Sequence, residues 1–361
     1  ASWDGQICTE TYTEQPLLVD VWLDPAPQST ASLTIPLIKG VRVEELGHDI
    51  DGRAGFRVRG LPPEKALEVE VHIRDETYTE TFETPPPLEG FIPWFRVMTE
   101  GEHYEGYRLF DISAWPLIGS GGAFVVDSKG ITRFYLPLYP ASMMNHAAVP
   151  SGLQLLEDGS LLFIQDDAIQ IVNEFGHRTL YIAAADVGLR EFHHDVVLLP
   201  GGNFMTMSRS YRELSSEDGK VEIVCSDTIA EISPEGVLVW QWDSFDHLDP
   251  ERTVGGPGLA DYPVLHPDTG EEVRDWTHAN ALVYREDDRS ILLSLRHQNW
   301  IILIDHSSGS VLWRLGSEGD FDLDMGGSWF HHQHAPEWQE DGSLLLYDNG
   351  INIPDVDLND W

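Results

Sequence analysis

The sequence predicts an all-β protein, a small β-sandwich followed by a β-propeller. Three observations predict it. Short runs near the start alternate apolar and polar residues, as strands with one buried and one solvated face do. From about Gly106 a unit of turn plus apolar strand recurs. Helical periodicity is nearly absent, whereas 12 tryptophans and 32 glycines suit short strands and tight turns.

Leu17–Trp22 and Ala66–Ile73 are the clearest early strands. Gly60-Leu61-Pro62-Pro63 punctuates before the second, Thr77–Thr84 reads as a last strand, and Pro85-Pro86-Pro87 as a linker. Residues 1–87 thus resemble a fibronectin type III or immunoglobulin-like sandwich, a module for docking or spacing to which no chemistry is assigned.

Residues 88–361 read as the propeller. Its repeating turn appears at Glu157-Asp158-Gly159-Ser160, Gly201-Gly202-Asn203, Asp288-Arg289-Ser290 and Asp341-Gly342-Ser343, each followed by an apolar strand. Second hairpins lie between, turning at Asn173–Gly176, Ser233–Gly236 and Ser307–Gly309, and two of them carry tryptophan in the strand that follows. Four-stranded units repeated around a channel make a propeller. Four units and the opening of another are legible before Asn359-Asp360-Trp361. A ring must close to bury its end blades, so the C-terminal blades are expected to be missing.

Charge narrows the partners. Sixty-one acidic against 22 basic residues give a net charge of −39, which repels nucleic acid and anionic membranes. No apolar run is long enough to span a bilayer. An anionic substrate would need local positive groups to overcome this field. The two cysteines, Cys8 and Cys225, cannot define a disulfide scaffold. A start at Ala1 without a signal-like segment reads as a processed or trimmed chain, with a periplasmic or secreted location expected.

Aligning the repeats on their turns brings polar residues into register. Nine residues before Asn203 stands His194, and nine before Ser343 stands His334. The Ser290 repeat, with one extra turn residue, reaches Asn280, and His278 lies two positions earlier. Equivalent positions project toward one axis, so these side chains should meet, joined by Arg296 from the strand running through Leu293–Asn299. Strand alternation sends His193 and His194 to opposite faces, so His194 is favoured and His193 held in reserve. The same rule puts His332 and His334 on one face. Asp195 is a candidate for orienting an imidazole.

His193-His194-Asp195, Asp275–Ala281 (DWTHANA), Ser294–Gln298 (SLRHQ) and Gln333-His334 followed by Asp348-Asn349-Gly350 resemble, in order and spacing, the bacterial arylsulfate sulfotransferases. The resemblance runs from about Phe91 to Gly350. It implies a six-bladed propeller that moves a sulfuryl group from a phenolic sulfate ester to a phenol, through a transiently sulfated histidine and without an adenosine-based donor. The sulfated residue matches His334. His278, Arg296 and His194 match catalytic partners, and Asn280 matches a substrate-site amide, with His193 as a second substrate-binding candidate. No cofactor and no metal are implied, and a homodimer is a candidate assembly.

The chemistry suits these residues. Arginine offers a planar, permanently charged fork for sulfate oxygens, neutral imidazole is a nucleophile near neutral pH, and a second imidazole can move the phenolic proton. Three rival readings stand beside it. In one, His194, His278, His332 and His334 ligate zinc or copper, against which Arg296 and the lack of a well-placed carboxylate both count. In the second the propeller is a non-catalytic binding module, and in the third water replaces the acceptor phenol, giving a sulfatase.

Overall fold

In the computed structural model the described residues are 2–36, 38–88, 91–98, 106–112, 121–138, 150–215, 221–252, 254, 264–323 and 327–350. They form 26 strands and one short α-helix, Ser244–His247. The protein is all-β, as the alternation and turn pattern predict. The last segment, ending Asn359-Asp360-Trp361, lies outside the described residues. Two compact units divide the chain: Ala1–Pro150 with 155–161 and 172–178, and the remainder.

The first unit begins with two antiparallel sheets. One orders the strands Gln6–Thr11, Leu18–Asp24, Ala54–Arg59 and Arg42–His48; the other orders Ala31–Thr34, Ala66–Ile73 and Glu76–Glu83. Numbered along the chain, that is 1-2-5-4 against 3-6-7, the strand order of a constant-type immunoglobulin sandwich. Alternation does the burying: Leu67, Val69, Val71 and Ile73 face the core, with Val19, Val21, Leu23, Phe56 and Val58 from the other sheet. Each such side chain contributes roughly 1.5–3 kcal/mol. Asp20 breaks the pattern, because it is buried between those valines. It survives there because Arg57 grips both its oxygens, at 2.7 and 2.6 Å, and the Tyr12 hydroxyl donates to it at 2.8 Å. A three-stranded sheet, Arg108–Ile112, Gly121–Val126 and Thr132–Leu138, follows.

Beyond it come three antiparallel meanders of four strands: Ser151–Leu155 to Arg178–Ala183, Phe192–Leu198 to Leu238–Asp243, and Ala279–Arg285 to Val311–Gly316. A two-stranded piece, His334–Trp338 with Leu344–Tyr347, ends the series. These are the propeller-like repeats that the turn spacing predicts, and the turns explain why they recur. At Asp158, Asp288 and Asp341 a carboxylate accepts the backbone N–H two residues on, at 2.9–3.2 Å. Gly159, Gly202 and Gly342 hold φ of +82 to +88° in the same turns, a conformation costly for other residues.

In the second unit the first strands of successive sheets lie against each other, Phe192–Leu198 beside Ala279–Arg285 and that strand beside His334–Trp338. Gly152 allows one more close approach, since a Cβ there would stand 2.7 Å from the Val196 nitrogen. The second sheet is wider than expected. Glu272–Asp275 adds in parallel to Val221–Ile232, with Cys225 opposite Asp275. Cys8 and Cys225 are both free thiols.

Candidate active site

The first strands of successive sheets in the second unit are irregular where the polar residues stand. Phe192–Leu198 carries a bulge between His193 and Val196, Ala279–Arg285 one between Ala279 and Ala281, and His334–Trp338 one between His334 and Glu337. His194, His278, His332 and Ala335 have φ of +58, +47, +52 and +46°. Left-handed backbone at bulky residues is strained and gathers at functional sites.

This overturns two expectations drawn from alternation. His193 and His194 do not point apart: their Nδ1 atoms lie 2.8 Å from each other, because the bulge breaks the period of two. His332 is not a strand neighbour of His334, for it precedes the strand in a left-handed turn, buried, its ring 6.1 Å from that of His297. The equivalence by residue count shifts as well. His193 pairs with Met207, and His334 pairs with Tyr347; each partner stands four residues after its turn residue. In hydrogen-bond register His334 therefore matches His193, since the first bulge holds one residue more. Arg296 also differs from expectation. The strand stops at Leu295, and Arg296 opens a buried 3-10 turn through Gln298.

The side chains nevertheless converge. His194 and His278 rings lie 5.1 Å apart, and His278 and His297 rings 4.5 Å apart. Arg296 Nη1 is 2.7 Å from His297 Nε2. Arginine can only donate, so His297 accepts at Nε2 and carries its proton on Nδ1, which donates to the Asp275 carbonyl at 2.7 Å. Burial, helped by the charges of His278 and Arg296, holds the His297 pKa below the usual histidine range against the pull of Asp275. His334 is half-buried. Its Nδ1 is 3.1 Å from the His332 carbonyl, with Asn349 Nδ2 also at 3.1 Å. Burial lowers its pKa, the carbonyl opposes this, and Arg296 and His278 are near enough for their charges to lower it further.

Asn280 is buried and spans two sheets, its Nδ2 donating to the Gln333 carbonyl at 2.8 Å. Its Oδ1, also buried, has no hydrogen-bond partner among the described residues. Asp195 does not orient an imidazole. Its two oxygens accept Val196 N at 3.0 Å and Leu282 N at 3.1 Å, tying neighbouring sheets together, and burial raises its pKa to about 6. Trp276 and Trp300 are core residues, their indole N–H groups donating to the carbonyls of Arg252 and Ser317.

Two carboxylates that sequence reasoning did not place stand at the heart of the cluster. Asp275 Oδ2 takes His278 Nδ1 at 2.5 Å and lies 3.8 Å from His297 Nδ1. Burial would raise its pKa, but His278 and then His297 bring it down to about 2. Asp227, on the strand Val221–Ile232, is wholly enclosed. Its Oδ2 accepts Thr277 Oγ1 at 2.5 Å and Ala279 N at 2.6 Å, while Oδ1 lies 3.1 Å from His193 Nε2. Asp275 belongs to the same short segment as His278, so an Asp-x-x-His spacing across a turn was the available signal. For Asp227, some fifty residues upstream, there was none.

Asp275, His278 and His297 also bring ligand-type atoms within 4.8 Å of one another. Their facing atoms are already engaged in hydrogen bonds to one another, with a guanidinium alongside. That pattern fits a hydrogen-bonded acid–histidine pair better than a set of metal ligands.

Comparison with known proteins fits this geometry. The curated relatives include the arylsulfate sulfotransferase AssT of Lelliottia amnigena, 25% identical over 296 residues, or 72% of this chain and 47% of that protein. The AssT of Escherichia coli O6:H1 is 28% identical over 134 residues, 31% of this chain and 22% of its own length. The chain therefore spans less than half the length of the relatives it matches. Among solved structures, one of a protein of unknown function from Bacteroides thetaiotaomicron aligns over 96% of this chain and 83% of its own, at 12% identity and a TM-score of 0.30; so low a score says nothing about the fold. The arylsulfotransferase (ASST) family model matches residues 97–357, well over half of the sequence, and the chain belongs to that family.

Proposed function

We propose that this chain carries the active site of an aryl-sulfate sulfotransferase, which moves a sulfuryl group from a phenolic sulfate ester to a phenol through a sulfohistidine on His334. The observation that supports it most is the cluster that His194, His278, His297 and Arg296 form from two neighbouring sheets, with His334 opening the strand packed against the one that follows His278. If His334 Nδ1 donates to the His332 carbonyl, Nε2 is left as a lone pair. A low pKa keeps that lone pair unprotonated near neutrality.

The transfer runs in two displacements. His334 Nε2 attacks sulfur, the bond from sulfur to the donor's aryl oxygen breaks, and its electron pair leaves on the phenolate, which takes the proton that a base of the cluster gained from the previous acceptor. The acceptor phenol oxygen then attacks the same sulfur, the sulfur–nitrogen bond returns its pair to Nε2, and the phenolic proton passes to a base. Arg296 binds the sulfuryl oxygens, as the analogous displacement at phosphorus requires. His278, whose Nδ1–H is committed to Asp275, offers Nε2 to the transferred group or the phenolic oxygen. An assay with a chromogenic aryl sulfate, with and without a phenol, tests the reading. Sulfated phenol is the expected product. Inorganic sulfate alone would mean a sulfatase, and no turnover a binding module.

A further inference from the structure

We propose that Asp227 is a positioning residue that acts through His193 to set the proton of His194, making His194 Nε2 the group that takes up the acceptor phenol's proton; this rests on the sulfuryl-transfer reading above. Asp227 Oδ2 is saturated by Thr277 and Ala279, and Oδ1 lies 3.1 Å from His193 Nε2, within ion-pair distance though off the line of a hydrogen bond. A bare nitrogen lone pair facing a buried carboxylate is repulsive, so Nε2 carries a hydrogen. In a neutral His193 the lone pair then lies on Nδ1. That lone pair meets His194 Nδ1 at 2.8 Å, and two lone pairs cannot share that distance. His194 therefore donates from Nδ1 and keeps its lone pair on Nε2, in a ring 5.1 Å from that of His278.

Proton uptake follows the same contacts. When the phenol's proton binds His194 Nε2, the Nδ1 proton of His194 crosses to His193 Nδ1. The positive charge then rests on His193, beside the Asp227 carboxylate, rather than on His194, where burial and then the neighbouring His193 and His278 disfavour it. The proton then returns along the same path to the phenolate that the next donor releases, so the relay is neutral while the sulfurylated chain awaits an acceptor and holds one extra proton after each transfer. The left-handed backbone at His194 makes the contact, because regular pleating would turn the two rings apart.

The relay is tested in two ways. Long-range proton–nitrogen NMR on the wild-type chain should find the Nδ1–H tautomer at His194; the Nε2–H tautomer beside a neutral His193 would overturn the proposal, whether or not the protein transfers sulfate. Kinetics then use a donor with an acidic leaving phenol and two acceptors, one un-ionised at the assay pH and one ionised. Asp227→Asn and His193→Ala should lose on the order of 100-fold in kcat with the un-ionised acceptor and less than about tenfold with the ionised one. Added imidazole should restore part of the His193→Ala rate. Equal losses with both acceptors, or no rescue, would make these residues structural only. Absence of transfer in the wild type would sink the sulfuryl-transfer reading and leave the tautomer result to stand on its own.

Discussion

Replacing Asp275 by asparagine removes the carboxylate that pairs with His278. Its pKa falls from 3.8 to about 2 through its bond with His278 and the nearby His297, in spite of burial. At about 1.4 kcal/mol per pH unit, that drop amounts to roughly 2–3 kcal/mol of folding free energy. Because the folded carboxyl has the lower pKa, this stabilisation is complete well above pH 4 and is lost as the pH falls through about 2. Asp275→Asn should therefore lower Tm by roughly 3–4 °C at pH 7 for a chain of this size. At pH 3 the ionisation contribution is roughly half its full value, and the gap between the two proteins should narrow accordingly. Circular dichroism melts of both proteins at the two pH values measure it. An unchanged Tm at pH 7, or a gap as wide at pH 3 as at pH 7, would refute the assignment of Asp275 as the charged partner of His278.

Arg296→Lys should cut transfer on the order of 100-fold or more, since an ammonium lacks the planar fork; a near-normal rate in the chromogenic assay would remove Arg296 from the sulfuryl group. Asp195 behaves oppositely to Asp275, because burial raises its pKa to about 6. Its folded-state advantage is present below pH 4 and lost as pH rises through 6, a change of up to about 3 kcal/mol. Asp195→Asn should lack this change, and parallel denaturant titrations of the two proteins from pH 4 to pH 8 would contradict it. Prolonged chelation should leave the transfer rate intact, whereas loss restored by zinc would favour the Asp275, His278 and His297 metal reading.

Much of the fold is legible because it rests on local chemistry. The Asp-Gly turns and the alternation in Ala66–Ile73 each specify their own geometry within a few residues, and every one of those strands is present. The site is half legible for the same reason. His194, His278 and His334 lie near the starts of the first strands of successive sheets, and counting from the turns finds them. What counting cannot see is the backbone at those strand starts. Left-handed residues at His194 and His332 cancel the period of two, so His193 joins the cluster and His332 leaves its assumed face. Asp227 was beyond reach because its role depends on a strand pairing made some fifty residues away, and nothing in its own sequence neighbourhood marks it. Arg296 was found by type but placed in a strand, since the 3-10 turn that holds it has no periodic signature.

Mass spectrometry of the chain after exposure to aryl sulfate alone, without acceptor, tests the central claim most directly. One sulfuryl group should add per chain, map to the peptide holding His334, and vanish on addition of a phenol. A chain that turns over donor and acceptor with no such adduct, or one whose His334→Ala variant still transfers at the full rate, would contradict the sulfohistidine account.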